Sequence, residues 1–527
     1  MTNRHDVPAE KLAELGISAE EWDSVFRIAR ERPEDCALRV LTAGQWVALG
    51  ALLVLFGIGL ALDHKFTVTV INGALVAFYL VLVFYKLVLI HLSLGRPREF
   101  RFTSEQVASL SDADLPLYTI LVPLYHETES IPRLLSGLEA LDYPKEKLQV
   151  LLLLEEDDPG TIEAVRGREL PPYVRPLITP HSFPKTKPKA CNLGLARAAG
   201  EFVVVYDAED RPEPDQLKKA LLAFRQCGAE TACLQAKLNF FNQRQNALTR
   251  MFTLEYSMWF DLFLPGIDDL HAPVPLGGTS NHFRTEALRR LGGWDPYNVT
   301  EDCDLGLRIA RDGLETRILD STTWEEACSD PGFWIRQRSR WTKGYVQTYL
   351  VTMRHPTRLA RRIGLVRSLG FHLMVGGTPL SLLISPLYWM LTLLWFVFRW
   401  QAVAEYFPFP VILWGLVCLF AGNFIFIYAT LLAAYRRGYY DLVKYALLAP
   451  AYWVLMSIGA WKGCLQLITR PNYWEKTRHG FDLAANYVEP AAANSPSGPG
   501  PLPAQITAEG GCATPASAND GKGGQTP

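Results

Sequence analysis

Residues 201–210 read EFVVVYDAED, an apolar run that ends in Tyr206, Asp207, Ala208, Glu209 and Asp210. Consecutive β-branched residues of this kind predict a strand buried on both faces, with the acids placed where it leaves the sheet. Two earlier stretches repeat the plan. LYTILVPLYHE (117–127) and LQVLLLLEEDD (148–158) are apolar runs closed by polar or acidic residues. Between the strands, TESIPRLLSGLEAL (128–141) and KACNLGLARAAG (189–200) carry helical spacing, the second ending at Gly200. Strands that alternate with helices predict a doubly wound, mostly parallel sheet, whose ligands bind outside the carboxyl ends of the strands. The acids collect at that edge.

Outward from this α/β core the chain turns apolar. Segments 46–62 and 69–92 precede it, and 371–399, 409–435 and 442–468 follow it, each near the roughly 20 residues of a membrane helix. Basic flanks at GRPREFR (95–101), RHPTRLARR (354–362) and YRRGYYDLVK (435–444) predict a cytoplasmic middle domain. The basic TRPNYWEKTRHG (469–480) asks for a cytoplasmic end too, which five full spans would not give. The Gly- and Pro-broken MVGGTPLSLLISP (374–386) therefore reads as a re-entrant or surface segment, and the span count stays open. The expected division is a short N-terminal helical region (1–44), two transmembrane helices (45–95) and a cytoplasmic α/β domain (96–352). Interfacial and C-terminal membrane helices (353–470), a cytoplasmic motif (471–489) and a Pro/Ala/Gly/Ser-rich disordered tail (490–527) complete it. Ser18 and Glu21 form a capping box in the first region, and no basic leader marks a cleaved signal.

Net charge is −2, from 52 basic and 54 acidic residues, so no global field points to nucleic acid. Nine cysteines without a CxxC pair support neither a zinc site nor a disulfide framework. Acidic groups cluster at Glu155–Asp158, at Asp207–Asp210, and at Glu301, Asp302 and Asp304, with Lys185, Lys187 and Lys189 close by in sequence. Any one such cluster is commonly a solvated loop or a helix start. Together they suit Mg²⁺ or Mn²⁺ and a phosphate-bearing substrate.

The ordered series VPLYHE, EEDD, KPKACNLGL, DAED, GGTSNHF, TEDCDLG and QRSRW, spanning about 115–345, resembles the inverting family 2 glycosyltransferases. Within them it resembles the membrane-embedded, cellulose synthase-like branch that makes β-glycans. The resemblance implies a GT-A fold inserted between transmembrane helices, a nucleotide-sugar donor and a divalent cation, Mg or Mn. It implies that Glu127, Glu155, Glu156, Asp157, Lys189 and Asp207 line the donor site. Asp207 and Glu209 fall on the D-x-D metal positions, Glu209 replacing the commoner Asp and leaving Asp210 open as the second ligand. Asp302 would be the general base, and Gln337, Arg340 and Trp341 would bind diphosphate and acceptor. A base is what the chemistry demands, since an inverting transfer removes one proton from the attacking hydroxyl. His282 reads equally as structural or functional. FFNQRQNALTRMFTLEYSMWFD (240–261) reads as a helix on the membrane surface or in the core, and HPTRLARRIGLVR (355–367) as an interfacial one. The expected activity is hexosyl transfer, from UDP-glucose first, onto a growing β-glycan exported at the inner (plasma) membrane. Single transfer onto a lipid is the alternative, and any export or regulatory partner would be a separate chain.

Overall fold

The computed structural model describes residues 7–95, 98–399 and 404–474. The tail at 490–527 and most of the 471–489 motif lie outside the described residues. The expected architecture is present: an α/β domain lies in the chain between long apolar helices. Its eight strands are β1 (Tyr118–Leu124), β2 (Leu148–Glu155), β3 (Val174–Thr179), β4 (Phe202–Val205), β5 (Arg211–Pro212), β6 (Thr231–Phe240), β7 (Asn281–Arg284) and β8 (Glu315–Glu325). Their order is β3-β2-β1-β4-β7-β6-β8-β5. β1 pairs in parallel with both β2 and β4, while β7 runs antiparallel between β4 and β6. The chain builds outward from β1 to β2 and β3, then returns to lay β4 on its other side. The crevice between the β1 and β4 ends is therefore the switch point at which doubly wound sheets bind ligands. β6 and β8 are also parallel, so Phe240 and Glu325 leave the sheet together.

Among the described residues four helical stretches are long and apolar enough to cross a membrane: Ala43–Leu94, Leu365–Phe398, Phe409–Arg436 and Val443–Thr469. The first is two helices joined at Asp63, which has φ −155° and ψ 94° and whose carboxylate caps the Phe66 amide at 2.9 Å. A Cβ on Gly59 would lie 2.9 Å from Thr67 Oγ1, so the chain folds back on itself there. The segment 374–386 is not broken. Its Gly pair forms a wide π turn, His372–Gly377, inside one continuous helical run.

The stretch 240–261 forms the helix Ala247–Met258, continued through Asp269, with Phe252 and Phe260 buried. It is a core helix, packed between the sheet and the apolar helices. His282 is likewise a core residue: fully buried, held by Tyr118 Oη at 2.8 Å and kept neutral because burial drops its pKa to about 3. The N-terminal segment clamps the domain from outside. The Ser18–Glu21 capping box forms as expected, Glu21 pairs with Arg197 at 2.8 Å, and Asp35 pairs with Arg311 and Arg32.

Candidate active site

The three lysines near the acidic clusters each take one acid. Lys185 binds Asp157 at 2.6 Å, Lys187 binds Asp207 at 2.5 Å, and Lys189 binds Glu155 at 3.2 Å. The helix Lys187–Arg197 starts here, and its first turn alternates these roles, with Lys187 facing the crevice and Lys189 the interior. Lys189 is fully buried and also donates to the carbonyls of Pro180 and Ser182, so it anchors the loop after β3. Burial outweighs their attraction: it pushes Glu155 up and Lys189 down.

The β1 and β2 ends form a rim. Asp158 caps the next helix through the Thr161 amide and accepts the His126 amide at 2.6 Å, tying the two loops together. Glu156 accepts the His181 amide and is held by Lys11 of the N-terminal segment at 2.5 Å. Glu127 accepts from Ser130 Oγ at 2.9 Å.

The β4 end is different in character. Asp210 is buried, accepts the Asp207 amide at 2.8 Å and the Thr279 hydroxyl, and leaves Oδ1 buried with no hydrogen-bond partner. Thr279 is held there by a left-handed Ser280 (φ 57°), whose amide bonds the Val205 carbonyl. Burial, reinforced by Asp207 and Glu209, pushes Asp210 well above the carboxylate range. Glu325 is raised in the same way by burial and by Asp210, Glu209 and Asp207.

A cavity of about 670 Å³ has Lys187, Asp207, Glu209, Glu301, Asp302 and Glu325 in its wall, with Asp210 outside the lining. Glu301 and Asp302 start the helix Glu301–Arg311, and Gly278 lies opposite, its missing Cβ 3.6 Å from Asp302 Oδ2. Burial and the adjacent Asp302 push Glu301 to about 8, and burial raises Asp302 as well. Asp304 of the same motif faces inward, paired with buried Arg308 at 2.7 Å, and is structural. Gln337, Arg340 and Trp341 project from the helix Pro331–Thr352 into the same cavity. Gln337 Oε1 and Arg340 Nε are buried without hydrogen-bond partners. Arg340 lies over the Trp474 ring at 4.4 Å, and Trp341 packs against Tyr256 and under Arg338.

The structure thus gathers Asp207, Glu209, Asp302, Gln337, Arg340 and Trp341 on one wall. It sets Glu127, Glu155, Glu156, Asp157 and Lys189 outside that wall, on the neighbouring rim. Sequence reasoning missed Glu325 and Trp474, and read Tyr256 only as part of a helix beside the site. Among the described residues no group of three or more His, Cys, Asp or Glu is spaced to hold a metal alone. Mg²⁺ commonly uses one or two protein carboxylates and completes its shell with substrate phosphates. The Asp207 side of the cavity fits that donor set: it has excess carboxylate, an orphaned Asp210 oxygen, and a lysine ammonium already against Asp207.

The cavity continues between the apolar helices. On the helix Thr378–Phe398 its wall includes Thr378, Ser381, Ser385, Tyr388 and Thr392, a hydroxyl stripe at helical spacing, with Trp389 and Trp395 and the apolar Pro379, Leu382, Ile384 and Leu391 beside it.

Residues 202–434 match the family model Glycosyl transferase family group 2. The chain is 27% identical over 234 residues to the probable glycosyltransferase YdaM of Bacillus subtilis (strain 168), covering 44% of this chain and 56% of that protein. It is 24% identical over 265 residues to the probable glucomannan 4-beta-mannosyltransferase 7 of Oryza sativa subsp. japonica, covering 48% and 45%. The chain spans about half the length of these curated relatives. Among solved structures, a mannosyltransferase, PcManGT from Pyrobaculum calidifontis, in complex with GDP-Man and Mn²⁺, aligns with TM-score 0.47 at 19% identity over 76% of this chain and 99% of that one.

Proposed function

We propose that the chain, whose residues 202–434 match the model Glycosyl transferase family group 2, moves a sugar from a nucleotide donor onto an acceptor presented through the membrane-facing cavity. Transfer proceeds with inversion. The carrying observation is continuity: one cavity joins the acids at the β4 end to the hydroxyl and aromatic stripe between the apolar helices. A glycan passing through a membrane needs that lining, because sugar rings stack on aromatic faces and their hydroxyls need partners.

Asp302 takes the proton of the acceptor hydroxyl as its oxygen attacks the anomeric carbon. Burial and the adjacent Asp302 push Glu301 up to about 8, so the pair holds a proton near neutrality and shares one carboxylate charge between its members. Arg340 offers its free Nε and fork to the diphosphate, and Lys187 adds a second cation from the facing side. Asp207 and Glu209 would hold the divalent cation, which would stabilise the departing diphosphate. Glu127, Glu156 and Asp157 form the nucleoside side of the donor site, with Glu155 and Lys189 shaping it from beneath. Trp341 and Tyr256 hold the terminal acceptor sugar.

The growing β-glycan is the first reading of the acceptor and UDP-glucose the first donor. GDP-mannose stands beside it, favoured by the plant relatives named as mannosyltransferases. A lipid acceptor is the second reading, favoured by the apolar remainder of the wall, such as Leu75, Ile412 and Leu419. The catalytic domain faces the cytoplasm at the inner membrane, so alkaline phosphatase fused at exposed Arg225 should be inactive. The deciding experiment gives the purified, reconstituted chain a panel of labelled nucleotide sugars and sizes the product. A long polymer from one donor supports the glycan reading, a single sugar on extractable lipid the second, and no transfer from any donor overturns both.

A further inference from the structure

The membrane side of the same cavity carries one feature that glycosyl transfer does not use. Lys86 is its only charged lining residue on the apolar helices, among the described residues. It lies on the second arm of Ala43–Leu94, on the face shared with Leu75, Tyr79 and Leu82. The side chain is buried at 7% exposure, its ammonium 4.5 Å from the Phe426 ring centroid and 5.7 Å from that of Phe263. Among the described residues it makes no ion pair. The acid whose field reaches it, Glu255, is already engaged by Arg338 at 2.7 and 2.5 Å and by Tyr452 Oη at 2.6 Å. Aromatic faces return only part of the hydration a buried ammonium gives up. A lone lysine inside a membrane helix is costly and marks a ligand or a pathway.

Its depth says which ligand. The helix ends enter the domain: Arg436 donates to the carbonyls of Ser93 and Asp261, and Gly266 packs on the Leu89 backbone. Lys86 sits about 12 Å along the axis from Leu94, at 1.5 Å per residue. That is the border between domain and bilayer, where lipid head groups lie. Below it the wall turns apolar through Leu75, Leu82, Val411, Ile412, Leu416 and Leu419.

We propose that Lys86 is the seat of an anionic lipid phosphate, one with no choline of its own to balance it, with the lipid tail lying between the helix Ala43–Leu94 and the helices 409–436. The inference rests on the reading of this cavity as the acceptor passage, and names a chemical class that the passage binds. An acidic glycan would meet no second cation along the membrane part of the wall, whereas a lipid finds both its head-group site and its apolar channel.

The test uses the full chain reconstituted in phosphatidylcholine nanodiscs containing a minor fraction of phosphatidic acid, with retained lipid counted by native mass spectrometry after delipidation. Wild type should retain phosphatidic acid over phosphatidylcholine by about tenfold, the worth of one charge-assisted hydrogen bond. Lys86→Met should lose the preference and Lys86→Arg should keep it, with thermal unfolding checking that each variant folds. Equal retention of both lipids by wild type, or an unchanged preference in a folded Lys86→Met, overturns the proposal. If Lys86→Met does not fold, the wild-type competition and Lys86→Arg decide. Displacement of the lipid by inorganic phosphate, or by an acidic oligosaccharide at equal concentration, also overturns it by showing a free anion or glycan site. Nucleotide-sugar binding is measured in the same preparation: its absence sinks the transferase reading and leaves the lipid site standing, and the converse holds.

Discussion

Two groups of buried charge lie along β6 and β8, one within the strands at Lys237 and Asp320 and one where they end at Glu325, and they are built to different rules. Beside the apolar helices, Lys237 reaches Asp320 at 2.7 Å, Glu99 at 2.8 Å and Asp261 at 3.3 Å. Arg437 binds Asp261 at 2.6 Å and Arg101 binds Asp320 at 3.1 Å. Three acids meet three cations. Burial pushes Asp261 up, but Arg437 and Lys237 overcome it and hold the carboxyl below its usual range. In the cavity wall Asp207, Glu209, Glu301, Asp302 and Glu325 gather with Lys187 and Arg340, and Glu301, Asp302 and Glu325 are all raised, as is Asp210 next to them in the chain. The first group is complete within the chain. The second is short of positive charge, which a divalent cation brought with a nucleotide diphosphate would supply.

That contrast can be broken at several points. The largest effect is expected at Asp207→Asn, which removes a proposed metal ligand: turnover should fall below detection, and a chelator should silence the wild type. Full turnover with chelator present would remove the cation from the mechanism. Asp302→Asn should slow transfer by about 10² to 10⁴, the usual loss for a general base, while calorimetry shows the donor still binding. A wild-type rate would make Asp302 a helix-start acid and nothing more. Lys237→Met breaks the complete group instead. It should cost about 3–5 kcal/mol in unfolding free energy, the range for stranding a buried ion partner, and its effect should be read in denaturation. Little change in stability there would mean the two groups do not differ as argued.

Smaller effects sharpen the picture. Glu209→Asp should retain activity, and a worse loss from Asp210→Ala than from Glu209→Ala would move the second ligand to Asp210. The smallest effect concerns Glu301. With its folded pKa near 8 and an unfolded value near 4.3, the native state favours the protonated form. Stability from this group is therefore full at low pH and is lost as pH rises through about 8. Glu301→Gln should flatten that decline in melting curves of the metal-free chain, and an unchanged pH slope would place the proton elsewhere.

The sheet and its acidic edge were readable because local pattern carries them: apolar runs such as LQVLLLLEE predict strands without reference to partners. The same locality explains what stayed hidden. Glu325 joins Asp207 only through the β6–β8 register, 118 residues along the chain, and neither neighbour in sequence hints at it. Lys187 and Lys189 are two residues apart, yet one faces the crevice and the other the core, a choice set by how their helix docks on β1 and β2. Trp474 covers Arg340 from beyond the last apolar helix. The Gly-Pro stretch at 374–386 was misleading because a π turn absorbs what local propensity treats as a break.

The link between Arg437 and Asp261 also orders events during synthesis. Every strand of the catalytic domain leaves the ribosome before residue 437 does, and Lys237 is already committed to Glu99 and Asp320. Until Arg437 arrives, Asp261 lacks its closest cation, so a chain arrested short of it carries an under-neutralised buried acid. Completion of the domain therefore waits on the apolar helix Phe409–Arg436 that brings Arg437, and a nascent chain that has not packed it presents a charged defect to quality-control proteases and chaperones.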